Sequence, residues 1–332
     1  MKKLLLIAMI CLISSAIVAQ TARVQVIHNS ADAAATEVDV YIDTDLALDD
    51  FEFRTATEFL DLPAEVEIEL SVAPGNSMDV GDALLTVPVT LADGETYIVV
   101  ADGIVSGSGY NPAPPLTLQV YPMGREAATN GSNTDILVHH GSTDAPTVDV
   151  VETGVGAGTI VDDISYSEFQ GYLELPTDDY VVEVRDETGT TGVAAYSAPL
   201  ATLNLDGAAL TVLASGFLDP SENSDGPAFG LFAATAAGGP LLALPSAPLN
   251  TESFVAANLE MYPNPATNYI TIANVQRPLK YSIIDMQGRM LQEQAILNSD
   301  QEIDIARLSQ GMYQILFYDN TDLIGSKKFI KR

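Results

Sequence analysis

Residues Glu65 to Val72, EVEIELSV, alternate polar and apolar side chains without a break. A period of two puts Val66, Ile68, Leu70 and Val72 on one face of an extended strand. YVVEV, at Tyr180 to Val184, is rich in β-branched residues. TYIVVADG (Thr96 to Gly103), LTLQVY (Leu116 to Tyr121) and LTVLASG (Leu210 to Gly216) are short apolar runs, two of them closed by turn residues. Nowhere does an apolar period of 3.6 persist. The pattern predicts short antiparallel strands with a turn every ten residues or so, the arrangement of a β-sandwich. The 24 Gly and 18 Pro are scattered rather than periodic, which suits many turns.

The pattern repeats. HNSADA (His28 to Ala33) returns as HGSTDA (His140 to Ala145), and FLDLP (Phe59 to Pro63) as YLELP (Tyr172 to Pro176). Asp49 and Asp50 match Asp162 and Asp163, Gly94 matches Gly207, and VVADG at Val99 matches VLASG at Val212. The spacing predicts a duplicated domain over 22–123 and 134–248, joined by a linker at 124–133. Gly94 and Gly207 each follow an Asp and read as tight turns needing positive φ.

Charge sharpens the division. Of 45 acidic and 14 basic side chains, residues 259–332 hold eight of each and the first 19 residues two lysines; the remaining 37 acidic and four basic residues lie in 20–258. So acidic a surface repels nucleic acid and anionic lipid. At the start, Lys2 and Lys3 precede the apolar run LLLIAMICLI, which is too short to span a bilayer. Residues 1–19 read as a signal peptide cleaved after Ala19. Cys11 is the chain's one cysteine and lies inside this segment, so disulfides and thiolate chemistry are excluded from the mature chain. No later stretch is long enough to cross a membrane.

The paired HNSADA and HGSTDA stretches, each followed by VDV, and the LDLP and LELP stretches resemble tandem copies of a bacterial secreted family, domain of unknown function 4397. The resemblance spans about residues 22–248. It implies a β-rich extracellular domain and brings no established reaction, so it assigns no catalytic residue. Beyond a second linker at 249–258 the style changes. YPNPA (Tyr262, Pro263, Asn264, Pro265, Ala266), DMQGR around Gly288, LSQGMYQI around Gly311 and the closing KKFIKR follow in order. This tail, 259–332, resembles the type A C-terminal sorting domain of the type IX secretion system of Bacteroidota. The resemblance implies a small third β-sandwich, the secretion machinery as partner, and passage through the periplasm to the cell surface or medium. Pro263 and Pro265 cannot donate to a ladder and belong at a strand edge. Lys327, Lys328, Lys331 and Arg332 place positive charge on a terminal edge strand, which discourages pairing with other chains and offers an acidic receptor something to read.

Candidate chemistry is sparse. His28, Ser30 and Asp32 recur as His140, Ser142 and Asp144. At i, i+2, i+4 they would share a strand face, but a catalytic relay needs convergent side chains and a metal needs more ligands. The preferred reading is a strand end entering a turn, with Ser and Asp bonded to local backbone. Asp49–Asp50 and Asp162–Asp163 are candidate calcium ligands or plain surface acids. SENSDG, from Ser221, fails as a calcium loop because its twelfth position is Phe232. No phosphate loop, nucleophile elbow or zinc-protease motif occurs.

The expectation is an all-β chain: two duplicated antiparallel sandwiches and a C-terminal sandwich. The leading function is a non-catalytic binding or structural module for a glycan, an envelope component or a protein, without a cofactor. The rival is an extracellular hydrolase of a polysaccharide or other polymer, which needs two facing carboxyls about 5–10 Å apart.

Overall fold

The computed structural model describes residues 20–249, 259–275, 278–298, 301–319 and 322–332. The expected signal segment 1–19, and all of the expected linker 249–258 except Leu249, lie outside them. Among the described residues the regular elements are β-strands and three short 3-10 turns. Among the described residues no helix is long and apolar enough to cross a membrane. The fold is all-β.

Both copies have the same strand order. In the first, Thr21–His28 lies between Thr96–Asp102 and the short strands Thr55–Ala56 and Leu60–Pro63, with Thr117–Pro122 beyond. In the second, Asn133–His140 lies between Ala209–Ser215 and Phe169–Pro176, with Gly230–Thr235 beyond. The other sheets run Asp45–Glu52, Glu37–Ile42, Glu67–Pro74, Leu85–Thr90 in copy one and Gly158–Ile164, Val148–Glu152, Asp179–Asp186, Gly192–Pro199 in copy two. Gly94 and Gly207 sit in equivalent turns with φ of 74° and 75°, and donate their N–H groups to the carbonyls of Thr21 and Asn133. One pairing per copy is parallel: Thr21–His28 with Thr96–Asp102, and Asn133–His140 with Ala209–Ser215. In each copy other strands intervene in sequence between the two partners, which gives the chain length to cross over, where a short hairpin would impose antiparallel pairing.

The described chain divides into two compact units. One holds residues 20–145, 165–177 and 204–244, which is copy one with the first sheet of copy two; the other holds the second sheet of copy two and the tail. In the first unit, Ala22, Val24, Tyr97 and Val99 meet Leu62, Ile68 and Leu70 inside the sandwich of copy one. From the opposite faces of the same strands, Ile27, Ile98 and Val100 meet Leu137, Leu213 and Ala234 of copy two. These strands are buried on both sides, so IVVA reads as an unbroken apolar run rather than an alternation. The alternation at Glu65 holds from Ile68 onward. Val66, expected on the same face, is 52% exposed because the strand begins only at Glu67 and Val66 lies in the bend before it.

In the second unit, the tail stacks a sheet of Glu260–Tyr262, Tyr269–Ala273 and Gln301–Asp304 with one of Met290–Leu297, Leu279–Asp285, Gly311–Asp319 and Asp322–Lys331. Leu259, Ile270, Ile272, Ile283, Ile315, Phe317 and Phe329 fill the space between them. Gly288 takes its hairpin turn with φ of 80°.

Candidate functional site

Ser30, Asp32, Ser142 and Asp144 were expected to bond local backbone. Asp32 does so at Ala34 N, and all four also reach much further. Ser30 Oγ donates to Gly103 O at 2.6 Å, and Ser142 Oγ to Gly216 O at 2.7 Å. The Asp32 carboxylate accepts from Ala34 N at 2.9 Å, Val105 N at 2.7 Å, Ser106 N at 2.6 Å and Ser106 Oγ at 2.8 Å. Asp144 accepts from Leu218 N and Asp219 N, each at 2.8 Å, and from Asn223 Nδ2 at 3.0 Å. Each copy thus has a latch: a serine and an aspartate after the first strand hold the loop that follows VADG or LASG. Burial alone would raise the Asp32 pKa, but the Ala34 and Ser106 donors outweigh it and hold the carboxyl below its usual range.

His28 and His140 are both buried. Nε2 of His28 lies 2.7 Å from Ala35 O, and the ring packs near Phe51 and Phe53. Burial disfavours the charged ring and pushes its pKa down to about 4, against the opposing pull of the Ala35 carbonyl and Asp102. The ring is bonded to a carbonyl and walled by phenyl rings.

The acid pairs are bulges. Opposite Val38 and Val40 the register jumps from Phe51 to Leu48, which sets two residues, Asp49 and Asp50, against the single Asp39. Opposite Val148 and Val150 it jumps from Ile164 to Val161, which sets Asp162 and Asp163 against the single Asp149. Asp50 and Asp163 adopt φ of 50° and 53°, a left-handed conformation that Asp tolerates better than most residues. Their N–H groups donate to Oδ1 of Asp39 at 3.1 Å and of Asp149 at 2.8 Å. The aspartate of VDV therefore caps the bulge, a role the sequence did not announce. In copy one, ligand atoms of Asp39, Asp49 and Asp50 lie within 4.8 Å of one another, close enough to share a cation such as calcium. Asp39 already accepts from Asp50 N on one oxygen and from Ser77 Oγ on the other, so about half of its lone-pair sites are used. Among the described residues Asp162 and Asp163 form no such cluster.

Sequence reasoning missed a buried polar pair. Asp102 and His139 are fully buried where the copies meet, with Asp102 Oδ2 2.5 Å from His139 Nε2. Asn29 Nδ2 donates to Asp102 Oδ1 at 2.7 Å. At this distance one proton is shared between the two atoms in a hydrogen bond. The His139 ring also stacks near Phe169, with centroids 4.2 Å apart. Across the same junction Arg54 donates to Ser215 Oγ at 3.0 Å and Ala228 O at 2.9 Å, and its guanidinium lies 3.8 Å from the Phe232 centroid. A signal for this was available: Ile27, Asn29 and Asp102 of copy one stand where copy two has His139, Gly141 and Ser215. The repeats trade polarity at positions that face each other.

In the tail, Asn264 closes onto the last strand. Its Nδ2 donates to Lys328 O at 3.0 Å and its Oδ1 accepts from Ile330 N at 2.9 Å. Ala266 then exchanges backbone bonds with Ile330 and Arg332. The basic strand was expected to be an edge guarded by charge. YPNPA covers part of that edge, while Lys328 and Arg332 stay exposed and Lys327 and Lys331 are half-buried beside the core residue Phe329. Tyr262 is exposed, and Pro263 and Pro265 follow the end of strand Glu260–Tyr262. Gly311 is the first residue of strand Gly311–Asp319, and the turn is made by the residues before it.

Comparisons with known proteins bear on both parts of the chain. The model of the secretion system C-terminal sorting domain matches residues 260–332, and such a domain directs export to the cell surface or the extracellular space. No curated protein matches the chain. Among solved structures, the Bacteroides ovatus mixed-linkage glucan utilization locus protein SGBP-B, in complex with mixed-linkage heptasaccharide, aligns with 11% identity over 89% of this chain and 60% of that one, at a TM-score of 0.15. The model of domain of unknown function DUF4397 matches residues 18–131 and again 134–225. With more than half of its length matched, the chain belongs to the DUF4397 family, as a tandem pair followed by a secretion-system sorting domain.

Proposed function

We propose that the tandem pair is a non-catalytic extracellular module that binds or scaffolds at the cell surface. One observation carries this reading: the duplicated serine and aspartate hold loops in both copies, and their histidines are buried. A hydrolase would need such groups exposed and convergent. Duplication suits weak binding sites, since two on one chain act together. Among the described residues of the pair every Tyr and Phe side chain is at least partly buried, so none stands fully open as a platform for a sugar. That favours a protein or another envelope component over a glycan. A cleaved N-terminal signal over residues 1–19 would supply the first step of export. The test is a screen of the purified full chain against glycans, envelope fractions and surface proteins, with and without calcium, beside polymer hydrolysis assays. Saturable binding without turnover is expected. Turnover that Asp32→Asn or Asp144→Asn abolishes while the melting temperature holds would establish the hydrolase.

A further inference from the structure

Two loops of the sorting domain meet beside its four-stranded sheet. One is the DMQGR turn, where Asp285 accepts from Gln287 N at 3.0 Å, Arg289 N at 2.9 Å and Arg289 Nε at 2.9 Å. The other leads from Arg307 into strand Gly311–Asp319. Between them lies a cleft of about 440 Å³ with Met286, Leu291 and Met312 among its apolar lining and Arg289 and Arg307 among its charged lining. Met286 and Met312 are 49% and 47% exposed. In register with Met312 on the next strand is Ile330, 43% exposed, and Lys328 and Arg332 flank Ile330 on the same face.

The charge of this surface is one-sided. Asp285 is neutralised by Arg289, whereas Arg307 has no hydrogen-bond or ion-pair partner among the described residues. Gly311 adds a second indication. Its φ is not positive, and the nearest atoms a Cβ there would meet are those of the Tyr313 ring, at an ordinary 3.7 Å or more. The fold does not require glycine at this position, but the cleft that Gly311 lines is kept clear by it. Exposed methionines adapt to varied apolar side chains, and a free guanidinium selects carboxylates.

We propose that this cleft and the adjoining Met312–Ile330 strip dock an acidic peptide segment, bearing apolar side chains, of the export machinery. The inference rests on the sorting role of the tail and names the surface that performs it. A second copy of this chain is a poor occupant, because the acidic pairs repel each other.

The test uses the full chain in a host with this secretion system, followed by cell fractionation and melting of the purified proteins. Arg307→Glu, and separately Met286→Ser with Met312→Ser, should raise the periplasmic fraction several-fold with little change in melting temperature. Arg307→Lys should be exported normally. Binding of a fluorescent peptide of alternating Glu and Leu to the purified full chain should weaken at least tenfold or so in Arg307→Glu, the scale of reversing a contact charge. Normal export of both variants, or peptide affinity unchanged by Arg307→Glu, would overturn the proposal. A chain truncated before Leu259 separates the two ideas. If it is retained while the cleft variants are exported, the cleft fails and the sorting role stands; if it too is exported, the sorting role itself falls.

Discussion

Asp102 is a carboxylate in a fully buried place, and it has two partners: His139 Nε2 and Asn29 Nδ2. Removing one side of such a pair strands the other. Asp102→Ala should cost about 3–5 kcal/mol, read from urea denaturation of the full chain at pH 7, and Asp102→Asn, which keeps the shape, should cost less. His28 makes a pH prediction. Burial lowers its folded pKa to about 4, whereas the unfolded value is about 6.5. The folded ring is therefore neutral where the unfolded one charges. Stability from this group is complete above pH 6.5, falls with a slope of about one proton as pH drops toward 4, and is level below that. His28→Gln, which cannot titrate, should flatten that part of the curve of stability against pH.

Within single elements, short motifs resolve into hydrogen-bond devices. VDV with the acid pair is a capped bulge; HxSxD is a latch; YPNPA is a cover over the terminal strand. The last can be opened by one substitution. Asn264→Ala removes two hydrogen bonds to strand Asp322–Lys331, worth about 1–2 kcal/mol together. Hydrogen exchange at the Ile330 amide should quicken well above that of its neighbours in the core, and the freed edge should raise the tendency to aggregate. Unchanged exchange at Ile330 would mean that Asn264 adds nothing to the closure.

Across the first compact unit, the copies share a core, so the repeat boundary is not a boundary of cooperativity. Leu213 of copy two is fully buried against Ile27, Ile98 and Val100 of copy one. Leu213→Ala should cost about 2–5 kcal/mol and should quicken hydrogen exchange in strand Thr21–His28 of the other copy. Protection lost only within copy two would show that the copies unfold separately. The acidic surface of the pair and the neutral tail divide the labour of the whole chain: charge keeps the exported part soluble, and the tail carries the address.

The all-β class, the duplication, the turns at Gly94 and Gly207 and the sorting tail were all legible in the sequence. Each rests on what neighbours along the chain dictate: a period of two, a glycine after an aspartate, a constant offset, motifs in order. The parallel pairing, the use of both faces of strand Thr21–His28 and the Asp102–His139 junction were not. Asp102 and His139 are 37 residues apart, and Asp32 reaches the loop it latches across 73 and 74. HNSADA reads as a local turn in the sequence because the pattern shows only which neighbours can share a face, while its further partners come from distant strands. Only the packed sheets decide whether a polar side chain meets water, a substrate or the backbone, because the free energy of burying it depends on the partner it finds there.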